Sequence, residues 1–360
     1  MLMIKNAQFI VLLKPSPEYG IIRDTINNFH ITQEVFILNG KKAIKALLFL
    51  GFSSASIYGT NTFFNNYAVS KKKLPSDSEN YYKWKNLNIY YTKTGTTGSP
   101  VILLHDLSPD ASGYEWNNIV DILAKNHRVY VLDLLGCGRS EKPDLTYTNF
   151  YYVQLLIDFI KSMICEKTFV VASGFTCSVA LLAGVYDASK FSGMTFINPP
   201  SLGVLSQVPD KKSKFAKKLI ETPLIGELVY NIVYARENID DRFTEDYLYN
   251  PFVVNSDLVD TYYEAAHIGS GSGRFLEASI AGNYVNMNID HAIKKFNVPA
   301  NIIIGSAMKD EIFISKSWKV RNDSLTISTI ERANKYPHIE VPDKTAAMIE
   351  KMIEDIKSRR

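Results

Sequence analysis

The sequence predicts an α/β protein built on a doubly wound, mostly parallel sheet with an inserted helical cap. Short apolar runs alternate with amphipathic stretches over residues 81–200 and again from residue 297. Such runs are typical of parallel strands buried on both faces, and their alternation with helical stretches indicates right-handed βαβ units. The alternation stops over residues 201–296, where a helical, tyrosine-rich segment indicates an insertion.

Length, composition and charge indicate an ordinary globular protein of about two domains. The 360 residues suffice for about two domains. Apolar residues make up 46% of the chain and charged residues 21%, as in an ordinary globular protein. Forty basic residues against 37 acidic ones give +3, far from the basic surface that nucleic acid requires, so no nucleic-acid partner is expected. The three cysteines, Cys137, Cys165 and Cys177, have no paired spacing and imply neither disulfides nor a zinc site.

Residues 1–80 form an N-terminal extension with a candidate membrane segment. Residues 46–70 carry no charge and follow three lysines. A bilayer span needs about 20 mostly apolar residues, and residues 43–64 approach this but include six Ser, Thr and Asn residues. We expect a membrane or signal anchor here; the alternatives are a cleaved signal peptide, giving a secreted protein, or a buried or surface-lying helix in a cytoplasmic one. Residues 46–67 should form a helix that does not pack into the core.

Residues 33–35 suggest that translation starts further along the chain than Met1. Codons for Gln-Glu-Val can spell a ribosome-binding sequence, which would make Leu38 an alternative start. Lys41 and Lys42 would then form a short cationic leader.

The predicted elements between residues 82 and 357 follow the alternation. A hairpin spans residues 82–84 and 87–92 across Lys85 and Asn86. The buried strands are expected at residues 101–104, 129–132, 168–172, 194–197 and 300–304, and the helices at 116–125, 153–165, 178–186 and 345–357. A helical insert near strand ends commonly covers a ligand pocket, so residues 201–296 are expected to form a lid.

Two strand ends carry a family resemblance. The strand at residues 101–104 ends in His105-Asp106, and the strand at residues 129–132 leads into Asp-Leu-Leu-Gly-Cys-Gly-Arg-Ser. This pair resembles the α/β-hydrolase family, in which one strand ends in His-Gly and the next in Asp-x-x-Gly-x-Gly-x-Ser. The resemblance implies a hydrolase-type core in residues 81–200 and 297–360 with the cap at 201–296. Gly136 and Gly138 lack the third glycine of a dinucleotide site, where Glu141 stands, and instead let the loop turn tightly.

The resemblance places the nucleophile position at Gly174. The family carries Gly-x-Ser-x-Gly on a strand-to-helix turn, and residues 172–176 fall on those five positions. The central residue of that turn has strained dihedrals, which glycine adopts without a Cβ penalty. Glycine relieves the strain and removes the hydroxyl. Ser173, one residue earlier, is the alternative nucleophile, although neighbouring strand residues point to opposite faces. Cys177 is predicted to be a core residue.

The resemblance also implies the other catalytic positions. His338, in the run Tyr-Pro-His-Ile-Glu-Val-Pro, resembles the family's catalytic histidine, and Asp310 after the strand at residues 300–304 resembles its acid. The oxyanion-hole donors would be the backbone N–H groups of Leu107 and Phe175. Asp106 stands where the family has glycine, and a carboxylate there opposes a developing anion.

Three functions remain open at this point. The first is a degenerate α/β-hydrolase-fold protein, a pseudoenzyme that binds a small apolar or ester-like ligand. The second is a hydrolase of small or lipid-like esters that uses Ser173, and the third is a cofactor-free enzyme in which His338 acts as a base. No metal or cofactor is expected, since the histidines show no metal-ligand spacing. Gly174→Ser is expected to restore labelling by serine-directed phosphonates through His338.

Overall fold

A computed structural model describes residues 40–75, 80–308 and 311–358 and contains one eight-stranded sheet. The strand order is β1-β2-β4-β3-β5-β6-β7-β8. The pairs β1/β2 and β2/β4 are antiparallel, and all the other pairs are parallel. The strands are β1 Tyr81–Trp84, β2 Leu87–Thr94, β3 Pro100–Leu104, β4 Arg128–Leu132, β5 Thr168–Ser173, β6 Phe191–Ile197, β7 Ala300–Gly305 and β8 Thr326–Ile330. The predicted fold class is confirmed.

The hairpin and the parallel strands lie where the sequence predicts them. Lys85 and Asn86 both have positive φ, as a two-residue hairpin turn requires. The strand β8 was not predicted, because its sequence Thr-Ile-Ser-Thr-Ile is polar and lacks the apolar run of a central strand. It lies at the sheet edge, where it pairs with only one neighbouring strand.

Helices cover both faces of the sheet. Alternate strand residues divide between two apolar clusters: Ile102 belongs to one and Leu103 to the other. The helices Asn149–Phe159 and Thr176–Tyr186 contribute to the first cluster, and the helices Asn117–Leu123 and Pro342–Ser358 contribute to the second. The helices outside the insert are α1 Gly40–Val69, α2 Asn117–Leu123, α3 Asn149–Phe159, α4 Thr176–Tyr186, α12 Glu311–Arg321, α13 Pro337–Glu340 and α14 Pro342–Ser358.

The insert between β6 and β7 is helical, as predicted. It contacts the loops that follow β3 and β4, where Arg242 pairs with Asp110 (3.0 Å) and Lys142 Nζ donates to the Ala265 carbonyl (2.8 Å). These loops lie at the carboxyl ends of the parallel strands, so the insert caps that edge. Its helices are α5 Leu202–Leu205, α6 Lys211–Glu221, α7 Ile225–Val233, α8 Arg236–Asp241, α9 Ser256–His267, α10 Arg274–Ala281 and α11 Asp290–Lys295.

The N-terminal helix α1 packs against the cap. The sequence predicted a helix over residues 46–67, and α1 contains that range. Among the side chains of α1 that the structure describes, Asn61, Asn65 and Ala68 are buried. The Asn61 amide donates to the Leu224 carbonyl (3.0 Å) and accepts from Asn231 (3.1 Å). The helix is therefore a packed part of the cap, although it stays outside the sheet core.

No helix among residues 40–75, 80–308 and 311–358 is long and apolar enough to cross a membrane. Serine, threonine and asparagine residues dilute the apolar part of α1, as its composition indicated. The alternative start at Leu38 lies outside the described residues.

Replacing Asn61 tests the docking of α1. In Asn61→Ala, the buried Asn231 amide loses its partner, which should lower the free energy of unfolding by about 1–3 kcal/mol. The measurement is urea unfolding of the full chain. Thr60→Ala is the matched control, because Thr60 is exposed and bonds only within its own helix. Equal stability of the two variants would show that α1 does not depend on this contact.

Candidate active site

Gly174 forms the turn between β5 and α4. Its φ of +54° lies in the left-handed region, and its N–H donates to the Ile197 carbonyl (2.9 Å). The strand ends at Ser173 and the helix begins at Thr176, so the chain reverses within two residues. Such a turn favours glycine because a Cβ is strained at positive φ.

The two predicted oxyanion-hole donors converge on one oxygen, and that oxygen belongs to Asp106. The N–H groups of Leu107 and Phe175 each donate to Asp106 Oδ1 at 2.8 Å. The other oxygen, Oδ2, lies 3.0 Å from Lys335 Nζ. A fixed carboxylate thus receives both N–H groups that the family resemblance assigns to a reaction intermediate.

The Asp106 carboxylate also fills the space beside Gly174. A Cβ built on Gly174 would lie 2.6 Å from Asp106 Oδ2 and closer still to Cγ and Oδ1. A serine in the turn and the observed Asp106 rotamer therefore exclude each other. The sequence differs from the family pattern at positions 106 and 174, and the two differences are linked: the Asp106 side chain fits because residue 174 has no Cβ.

This finding limits the gain expected from Gly174→Ser. The sequence alone predicts a gain of activity from the restored hydroxyl. In the structure the added Cβ meets the Asp106 carboxylate and also takes on the strain of positive φ. The serine needs Asp106 removed at the same time.

Asp106 is held in its ionised form. Burial by itself would raise its pKa, but the Lys335 ammonium and the N–H groups of Phe175 and Leu107 outweigh burial and lower the pKa below its usual value. The Lys335 ammonium lies 4.2 Å from the ring centre of Tyr247 and 5.0 Å from that of Tyr336. These rings hold the cation over the carboxylate.

His338 is fully buried and bonded to a carboxylate that sequence reasoning missed. Its Nε2 lies 3.1 Å from Glu115 Oε1, and its ring stacks on Trp116 at 4.2 Å. The other oxygen of Glu115 accepts the N–H of Asp106 (3.1 Å). Glu115 therefore joins the histidine to the Asp106 backbone. Glu115 belongs to no sequence motif, and only its exposure of 1% in the structure indicates that it has a special role.

A rigid loop positions Glu115. The Asp133 carboxylate accepts the N–H of Gly113 (2.7 Å) at the start of the short helical turn that contains Glu115, and it pairs with Arg139 at 2.7 Å. Gly138 has positive φ, and a Cβ there would meet Asp133 and Ser112. The glycines of this motif let the loop turn tightly, as the sequence indicated.

Among the described residues, Ser173 and Cys177 are not hydrogen-bonded to His338. Ser173 is fully buried, and its hydroxyl and His338 Nδ1 both lack a hydrogen-bond partner in the part of the chain that the structure describes. Asp310 lies outside the described residues. The Cys177 thiol donates to the Ala172 carbonyl (3.3 Å), and burial raises its pKa far above the usual value, so it is a core residue. The described residues contain no cluster that could hold a metal ion.

The cap adds a tyrosine to the site. Tyr262 on α9 is buried, and its hydroxyl has no partner among the residues described. Burial raises its pKa, and the charges of Glu115, Asp110 and Asp106 raise it further. The hydroxyl therefore stays protonated beside the Asp106–Glu115 group.

Asp106→Asn tests the internal ion pair. The amide keeps an acceptor for the two N–H groups but places a second donor against Lys335, so the free energy of unfolding at pH 7 should fall by about 1–3 kcal/mol. Because the folded pKa of Asp106 is below the unfolded value of about 3.9, its contribution is present above that pH and is lost as pH falls through the folded pKa.

The difference between wild type and Asp106→Asn should therefore shrink between pH 5 and pH 2 in urea unfolding. Asp187→Asn is the control, since Asp187 also has a lowered pKa, mainly through Ser189, but its side chain is 23% exposed. A difference that stays constant down to pH 2 would contradict an ionised, stabilising Asp106.

Known proteins give the same assignment of the fold. Residues 101–348 match the model of the alpha/beta hydrolase family. A 2-hydroxy-6-oxo-6-(2'-aminophenyl)hexa-2,4-dienoic acid hydrolase of Metapseudomonas resinovorans is 36% identical over 96 residues, 26% of this chain and 33% of the relative. A haloalkane dehalogenase of Mesorhizobium japonicum is 29% identical over 141 residues, 38% of this chain and 44% of the relative. The chain thus spans less than half the length of either relative.

Among solved structures, an epoxide hydrolase matches with a TM-score of 0.64 and 18% identity, covering 77% of this chain and 98% of that one. At this identity the match concerns the fold. The family match covers more than half of the chain, the sheet is mostly parallel as expected from the sequence, and the strand ends carry the His-Asp and Asp-x-x-Gly-x-Gly-x-Ser motifs. This chain belongs to the alpha/beta hydrolase family.

Proposed function

We propose that this protein is a degenerate member of the family, with little or no serine-hydrolase activity, that binds a small apolar or ester-like ligand under its cap. One observation carries the proposal: both N–H groups assigned to an oxyanion donate to the carboxylate of Asp106. Oxyanion stabilisation requires donors aimed at an empty position where negative charge develops. Here the position already holds a negative charge, and the turn lacks a nucleophile.

A buried polar atom supports ligand binding. The hydroxyl of Tyr262 has no partner within the described chain, and buried polar groups in folded proteins usually have one. Aromatic rings of Phe243, Tyr247 and Tyr336 pack around Tyr262 and Lys335. An apolar ligand with one or two hydrogen-bonding oxygens suits these surroundings. The relatives named above, a dienoic acid hydrolase and a dehalogenase, act on small organic molecules by their names.

A cofactor-free enzyme that uses His338 as base is the second candidate. The bond from His338 to the buried Glu115 favours it, because a carboxylate on one ring nitrogen fixes the orientation of the histidine ring. An ester hydrolase that uses Ser173 is the third candidate. Membrane association through residues 43–64 remains a proposal that rests on composition.

Labelling with a fluorophosphonate tests the degenerate site. We expect no labelling of wild type or of Gly174→Ser, where the new Cβ meets Asp106. The double variant Asp106→Gly, Gly174→Ser removes the obstacle and supplies the hydroxyl, so it should label at least tenfold faster than Asp106→Gly alone. Adding His338→Ala to the double variant should abolish the gain.

Ser173→Ala is the control for the hypothesis that Ser173 is the nucleophile of an active hydrolase. If wild type labels strongly and Ser173→Ala abolishes this, the protein is an active hydrolase with an offset nucleophile and the proposal is wrong. A folded double variant that stays unlabelled would show that Asp106 is not what blocks the reaction.

Tyr262→Phe tests the ligand. Because the hydroxyl has no partner in the described chain, its removal should change the unfolding free energy of the ligand-free protein by less than about 0.5 kcal/mol. Its loss should weaken binding of a medium-chain ester such as octyl acetate about five- to tenfold, the value of one neutral hydrogen bond. Calorimetric titration gives both affinities, with the exposed Tyr249→Phe as control. Equal binding to Tyr262→Phe and wild type would remove this residue from the site.

A further inference from the structure

Helix α6 of the cap has a buried and an exposed face of different character. Ala216 and Ile220 face inward and are buried. The exposed side alternates cations with large apolar side chains, of which Phe215 is 53% and Leu219 41% exposed. Its exposed residues are Lys211, Lys214, Phe215, Lys218 and Leu219.

The apolar character continues on both sides of α6. Val208, two residues before the Asp210 cap of the helix, is 70% exposed, and Ile225 at the start of α7 is 50% exposed. We call the four apolar residues Val208, Phe215, Leu219 and Ile225, together with the lysines Lys211, Lys214 and Lys218, the cap patch. Exposed apolar groups that are neighbours in this way usually mark an interaction surface.

The charge of the cap patch is positive. Its three lysines form no ion pair with any residue in the described ranges. The nearby acidic groups are engaged locally: Asp210 accepts the N–H of Ser213 at the helix start, and Glu221 pairs with Lys217. The lysines therefore present their charge to the solvent.

We propose that the cap patch docks on the surface of an anionic lipid bilayer. Lysines beside phenylalanine and leucine on one helix face are typical of helices that lie in a membrane interface. The apolar side chains would enter the boundary of the acyl chains, while the lysine stems reach back to the headgroup phosphates. A second copy of this chain is a poor occupant, because two such patches would bring like charges together.

The position of α1 supports this orientation. Its side chain Asn65 donates to Glu227 on α7 (2.8 Å), and Asn61 bonds the Leu224 carbonyl just before α7. The candidate membrane segment of residues 43–64 is therefore fastened beside the helix that follows α6. The inference rests on these surfaces and does not depend on the proposed function of the site.

Vesicle flotation of the full chain tests the proposal. Binding should be stronger to vesicles of phosphatidylcholine with 30% phosphatidylglycerol than to phosphatidylcholine alone, and should weaken as salt is raised. The variant Lys211→Glu, Lys214→Glu, Lys218→Glu should lose at least about tenfold in affinity for the anionic vesicles. The matched control is Lys344→Glu, Lys351→Glu, Lys357→Glu, which makes the same charge change on exposed residues of α14 and should keep most of the binding.

A fluorescence measurement reports insertion directly. Phe215→Trp should shift its emission to shorter wavelength on anionic vesicles, whereas Phe252→Trp, at a position 94% exposed outside the patch, should not. Vesicle flotation and tryptophan emission both test the cap patch even if the proposed ligand site is catalytic.

Three outcomes would overturn the proposal. The first is equal binding to neutral and anionic vesicles, which would assign membrane binding to the N-terminal segment alone. The second is an equal loss in the two triple variants, which would make the effect one of net charge. The third is a lipid-free dimer in sedimentation velocity that the Lys211, Lys214 and Lys218 substitutions disrupt, which would make the patch a protein interface.

Discussion

The ion pair of Asp106 with Lys335, together with the two N–H groups on Asp106 Oδ1, is the contact on which the rest of the site depends. It joins the end of β3, the turn at Gly174 and the chain segment before α13. A buried carboxylate is costly unless charge and hydrogen bonds compensate it, and here one cation and two N–H groups do so. The same carboxylate takes the space that a nucleophile would need.

The surrounding residues make this arrangement rigid. Asp133 holds the turn that carries Glu115, and Glu115 in turn binds both His338 and the Asp106 N–H. The motif that resembles the family's loop thus serves a structural purpose that does not require catalysis. This structural role is separate from any reaction, so the family match over residues 101–348 does not by itself assign one.

Part of the site geometry was accessible from the family resemblance. The resemblance implied the N–H donors Leu107 and Phe175, and the structure brings both N–H groups to one oxygen of Asp106. Glu115 was not accessible in this way, since its contact with His338 spans 223 residues and no motif surrounds it. The steric conflict of Gly174→Ser was not accessible either, because only the tertiary structure shows that Asp106 occupies the same space.

The sequence by itself determined the parallel sheet, the helical insert and the glycine in the turn after β5, because apolar periodicity and turn chemistry act over a few residues. It also determined that α1 would be helical, but not that Asn61 and Asn65 bind the cap. Only the tertiary structure decided where the Asp106 carboxylate points and which group neutralises it. Lys335 lies 229 positions further along the chain, and such pairings depend on how distant segments pack together.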